Sequence, residues 1–89
     1  MSINLQQDFF SLFQLPIQFA CNQTDLEQHY RALQKRVHPD QFARGSDTEQ
    51  RLALQYATFI NEAYHTLKQP IERGRYLLSL RGVPADEEN

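Results

Sequence analysis

Residues 46 to 69 of this 89-residue chain contain neither glycine nor proline, and both ends of the stretch are marked. Ser46-Asp47-Thr48-Glu49 matches a capping box, in which the Ser hydroxyl and the Glu carboxylate each satisfy an otherwise unpaired backbone amide. Pro70 ends the run, because a proline pushes the residue before it away from helical dihedrals. The spacing predicts one long helix from Asp47 to about Lys68. Ala53, Ala57, Ile60, Ala63, Tyr64 and Leu67 form its main apolar face, and Leu52, Tyr56 and Phe59 broaden it. Small residues in the first half of that face let a neighbouring helix approach closely. Three Gly and four Pro are too few for many short strands joined by tight turns, so the expected fold class is all-α.

The preceding segment supplies the neighbour. Thr24-Asp25-Leu26-Glu27 also matches a capping box and predicts a second helix starting there. Leu26, Tyr30, Leu33 and Val37 follow at spacings of four, three and four, which puts them on one buried stripe. The other side carries Gln28, Arg31 and Lys35, with Arg36 at its flank. Pro39 stops this helix and restricts His38, and residues 40 to 45 read as a loop. The expected arrangement is an antiparallel pair of these two helices, with Tyr30, Leu33, Val37, Ile60, Ala63 and Leu67 between them. Upstream, the apolar cluster at residues 8 to 13 predicts a short first helix closed by Pro16. Downstream, a last helix should start at Pro70 or Ile71 and end at a left-handed Gly82. Gly74 within it costs about 1 kcal/mol relative to Ala. Ile71, Leu77, Leu78 and Leu80 do not share one stripe, so one side of that helix is expected to stay uncovered, with Leu77 and Leu80 as candidates.

Nine Lys and Arg against eleven Asp and Glu give a net charge of −2, which argues against a dedicated nucleic-acid binder. The balance is uneven. Residues 29 to 44 hold Arg31, Lys35, Arg36 and Arg44 against Asp40 alone, whereas the last five residues hold Asp86, Glu87 and Glu88. A small nucleic-acid-binding helical domain remains an alternative that would use the basic helix, although no aromatic residues interleave its cations. Cys21 is the only cysteine, so no intrachain disulfide forms. Neither a signal peptide nor an 18-residue apolar span is visible, and the expected location is the cytoplasm, away from membranes. His29, His38, His65 and Cys21 lack the short spacings of zinc sites, so neither a metal nor another cofactor is expected. His38 and Asp40 could be imagined as a base and its orienter. No Ser or Cys nucleophile is indicated beside them, and a helix-ending loop offers no substrate pocket. The expectation is a binding module, a monomer and not an enzyme.

His38-Pro39-Asp40 on its own reads first as a helix stop. Its setting is more specific: a short Phe-rich helix, a capped helix running Tyr30, Leu33, Lys35-Arg36-Val37-His38-Pro39-Asp40, then Ile60-Asn61-Glu62-Ala63-Tyr64, Leu67, Pro70, Arg73 and Tyr76. Over residues 8 to 81 this order resembles the J domain of DnaJ-class co-chaperones. Phe9-Phe10, Leu12-Phe13, Gln41-Phe42-Ala43 and the run Tyr76-Leu77-Leu78-Ser79-Leu80-Arg81-Gly82 are more similar to the HscB-type iron-sulfur branch than to ordinary J domains. The resemblance implies docking on a DnaK/HscA-class chaperone and stimulation of its ATPase, through His38, Pro39 and Asp40 with Arg31, Lys35 and Arg36. A generic folding co-chaperone is the alternative. It further implies a J domain over residues 1–82, and an acidic tail or linker over 83–89 leading to an absent helical domain that would bind the iron-sulfur scaffold protein.

Overall fold

The computed structural model describes residues 3–82, and the expected tail at 83–89 lies outside them. The described residues contain four α-helices, α1 (Phe9–Leu12), α2 (Gln23–Val37), α3 (Asp47–Lys68) and α4 (Pro70–Leu80), and no strand. A 3-10 turn, Pro39–Phe42, lies where a loop was expected between α2 and α3. The all-α, J-domain-like layout expected from the sequence is the one observed.

Helix α3 begins as its sequence predicts. The Ser46 hydroxyl accepts from the Glu49 amide at 3.1 Å, and the Glu49 carboxylate accepts from the Ser46 amide at 2.9 Å. A Cβ on Gly45 would come within 2.7 Å of Glu49 Oε1, so the glycine leaves the space into which the glutamate folds back. Ser46→Ala should cost about 1 kcal/mol by urea denaturation. A loss below about 0.3 kcal/mol would mean that the box does not hold this helix end.

Helix α2 starts two residues earlier than expected. Asn22, not Thr24, is the N-cap, and its side-chain oxygen accepts from the Asp25 amide at 3.0 Å. Thr24 therefore lies within the first turn. The two long helices run antiparallel: the Tyr64 hydroxyl donates to Glu27, and the Tyr30 hydroxyl donates to Asn61, so partners descend along α3 as α2 advances. Leu26, Val37, Ile60, Ala63 and Leu67 are buried along this seam, whereas Tyr30 and Leu33 are half-buried at its edge. Leu52 does not join the core and stays exposed.

Helix α1 is too short to persist alone, since nucleating a helix costs more than one turn returns. Tertiary contacts hold it. Phe10, Leu12 and Phe13 are buried, and Phe9 stacks on Tyr76 of α4 with ring centroids 4.3 Å apart. The Tyr76 hydroxyl oxygen also accepts from the Phe9 amide at 2.8 Å, satisfying one of the amides a helix start leaves unpaired. Burial pushes the Tyr76 phenol pKa up. The helix ends at Leu12, within the expected stretch of residues 8 to 13, and Gln14 takes a left-handed φ of 57° that brings the Leu15 amide back to the Phe10 carbonyl at 2.8 Å.

Helix α4 ends as expected, with Gly82 left-handed at φ 82°. It is clamped by Arg73, a buried residue whose Nη1 donates to the Leu67 carbonyl in the last turn of α3 at 2.8 Å. The cation thus sits at the negative end of the α3 dipole, with Phe19 over its guanidinium. Phe19 lies 3.5 Å from where a Cβ on Gly74 would be. The uncovered side is not quite the expected one. Leu77 is buried, and the exposed residues are Ile71, Leu78 and Leu80. The reason is that α4 packs against α3 and also meets α1 through Tyr76, the residue beside Leu77.

Candidate docking site

Val37, the last residue of α2, is 3% exposed and fixes the point at which the chain leaves the helical pair. His38 follows in extended conformation and caps the 3-10 turn: its Nδ1 accepts from the Asp40 amide at 3.2 Å. The Gln41 amide donates to the His38 carbonyl at 2.8 Å. From α3, the Gln50 side-chain amide donates to the carbonyls of Phe42 and Gly45, each at 3.3 Å, tying the far end of the loop down. The outcome is a braced turn whose Asp40 side chain is 89% exposed.

Two hollows flank that carboxylate. One, of about 550 Å³, lies between α2, the turn and α3, and is lined by Arg31, Gln34, Lys35, Val37, His38, Asp40, Gln41, Ala57 and Asn61. Val37 and Ala57 provide apolar wall, and Arg31 and Lys35 provide two cations beside the Asp40 anion. The other, of about 540 Å³, is bounded by Val37, Asp40, Phe42, Ala43, Gln50, Ala53, Leu54 and Ala57, and carries no cation. Asp40 thus stands on the ridge between a cationic hollow and a neutral, largely apolar one.

The structure brings His38, Asp40, Arg31 and Lys35 together and leaves Arg36 out. Arg36 is exposed but does not line the hollow. Arg31 pairs with Glu27 one helical turn back at 3.8 Å, both exposed, a contact weak enough to leave its guanidinium available. Three amides in the hollow were not expected from the sequence: Gln34, Gln41 and Asn61. Asn61 accepts from the Tyr30 hydroxyl at 2.7 Å, and Gln34 donates to that same hydroxyl at 2.8 Å. Tyr30 also stacks on Tyr64 at 3.8 Å, so Gln34 and Asn61 enter the hollow from a bridge that joins α2 to α3. The signal was present, since Ala57, Asn61 and Tyr64 share one helical stripe and a tyrosine on a buried seam needs a partner for its hydroxyl.

The arrangement suits binding more than bond-making. Cys21 sits at the other end of α2, about 20 Å along the helix from His38. Burial pushes its thiol pKa up against the opposing pull of Arg73, which disfavours the thiolate. Among the described residues no three His, Cys, Asp or Glu side chains gather as a metal site requires, and no helix is long and apolar enough to cross a membrane.

An antiparallel helical pair with His38-Pro39-Asp40 at its joint, braced by a short first helix and a fourth one, is a J domain. Comparison with known proteins gives the branch. The whole chain is 48% identical to a co-chaperone protein HscB homolog of Cupriavidus taiwanensis, of which it covers 51%. Its fold matches chaperone HscB from Vibrio cholerae with a TM-score of 0.85 and 49% identity, over 93% of this chain and 49% of that one. It matches the crystal structure of human co-chaperone protein HscB with a TM-score of 0.90 and 37% identity, over 97% of this chain and 44% of that one. By sequence and fold the chain is similar to HscB co-chaperones over part of their length. It spans about half the length of the curated relatives it matches. No protein-family model matches the chain.

Proposed function

We propose that this chain is a docking module that binds a DnaK/HscA-class (Hsp70-class) chaperone and stimulates its ATPase, within iron-sulfur cluster assembly. The observation that carries the reading is the braced turn with its exposed Asp40 carboxylate beside Arg31 and Lys35 in one hollow. Only a surface that favours one state of the chaperone over another can accelerate its hydrolysis, and the module need perform no chemistry of its own. Asp40 supplies a directional acceptor for a partner guanidinium. Arg31 and Lys35 draw in an acidic partner surface and set its register. The HscB names of the relatives support the iron-sulfur assignment over a generic folding co-chaperone. A cytoplasmic monomer fits the role.

The test is steady-state ATP hydrolysis by an HscA-class chaperone as this chain is titrated in. A saturable rise is expected, and a flat rate at every concentration would overturn the reading. Reversing Arg31 and Lys35 to Glu should slow association roughly tenfold at low salt and flatten its salt dependence, measured by stopped-flow or surface binding. An unchanged association rate would return those cations to a purely solvating role.

A further inference from the structure

We infer that the outer face of α3 pairs with a second copy of this chain, the two helices lying antiparallel about a two-fold axis that passes between Tyr56 and Ala57. The inference goes beyond the docking reading and does not rest on it. Arg51, Leu54, Thr58 and Glu62 follow at spacings of three, four and four, so they form one stripe of α3. That stripe lies on the far side of the helix from the buried Ile60 and Leu67. With Leu5 of the N-terminal segment and Phe59, it lines a trough of about 640 Å³. Leu54 is 67% exposed beside it, so the trough has an apolar middle and a charge at each end.

The two end charges have no partner in their own chain. Among the described residues neither Arg51 nor Glu62 enters an ion pair, and three turns of helix hold them about 16 Å apart. Nor do they serve the helix that carries them, since its dipole favours anions toward the start and cations toward the end, the reverse of the order here. What fits the stripe is a helix that presents an anion to Arg51, an apolar side chain to the trough and a cation to Glu62. Helix α3 read backwards has that pattern. An antiparallel copy centred on the same point sets its Glu62 opposite Arg51 and its Arg51 opposite Glu62, so one contact is made twice, as a two-fold interface requires. Leu54 of each copy then lies about 4 Å along the helix from the axis, and both fall on the same side of it. A seam of one helix on one helix is smaller than the standard interface of about 1,600 Å², so the pair is weak and the single chain prevails when dilute.

Sedimentation equilibrium of this chain from about 10 μM to 1 mM tests the pairing, with a dissociation constant expected on the order of 0.1–1 mM. The mean mass should rise with concentration toward that of two chains. Arg51→Glu and Glu62→Arg each bring like charges together at both ends of the seam, and each should weaken self-association roughly tenfold or more. An equimolar mixture of the two variants should associate as the parent does, because every contact then opposes a Glu to an Arg. Both side chains are exposed, so the variants should keep the helical circular dichroism of the parent. A parent chain that stays single at 1 mM would overturn the inference and leave the trough to a different protein. Self-association untouched by either reversal would place the contact elsewhere on the surface, and a mixture no better than its components would rule out the antiparallel register. No chaperone enters these measurements, so their outcome is separate from that of the docking reading.

Discussion

Asp40→Asn should reduce stimulation of an HscA-class chaperone's ATPase by roughly tenfold to a hundredfold, the factor that loss of one charge-assisted hydrogen bond removes. The substitution keeps the backbone amide that His38 caps at 3.2 Å, so the turn should hold its shape. It keeps the size of the side chain and removes only the charge. Because that side chain is 89% exposed and packs on nothing, stability should change by less than about 0.5 kcal/mol, and the helical circular dichroism should be unaltered. Function and stability therefore separate at this position. Stimulation retained within twofold would sink the role given to Asp40, and loss of helicity alongside loss of stimulation would show that the carboxylate holds the turn.

The parts of the fold that were legible are those decided within a few residues. Ser46 and Glu49 satisfy each other across one turn, and Pro70 acts on its immediate neighbour, so the bounds of α3 follow from the chain alone. The start of α2 was misplaced because Asn22 and Thr24 are both good caps, and the choice turns on which side chain reaches an amide three residues on. Asn22 does, at 3.0 Å. The short first helix was legible from the apolar cluster at residues 8 to 13, whereas the left-handed Gln14 that follows it was not, since no spacing rule marks a positive φ at a glutamine. Leu77 and Leu80 could not be told apart by period, since α4 meets two neighbours on adjacent sides.

The site was legible unevenly. His38, Pro39 and Asp40 were singled out by resemblance, and the same tripeptide taken alone reads as a helix stop. That His38 accepts from the Asp40 amide is geometry no spacing rule supplies. Lys35 and Arg36 differ by 100° around α2, and the position of α3 decides which of them lines the hollow. Asn61 was missed for the same reason: its bond to Tyr30 spans 31 residues of sequence. Local chemistry marks the turn, and the packing of α2 on α3 selects the residues that surround it.

Phe10→Ala should destabilise the domain by about 3–5 kcal/mol, measured by urea or thermal unfolding. Phe10 is fully buried, so the substitution loses its transfer free energy and leaves a cavity within the buried cluster, beside the Tyr76 ring of α4. The cost is compounded by where the residue sits. Helix α1 spans four residues and has no helical stability of its own, so its place depends on Phe10, Leu12 and Phe13 entering the core and on the Tyr76 hydroxyl holding the Phe9 amide. A domain of this size has a total stability of only about 5–10 kcal/mol, so the variant should sit near its unfolding midpoint at moderate temperature. Its loss of ATPase stimulation should follow the fraction unfolded, unlike that of Asp40→Asn. A cost below about 1.5 kcal/mol would mean that α1 detaches without disturbing α2 and α3, and that the docking pair stands without its brace.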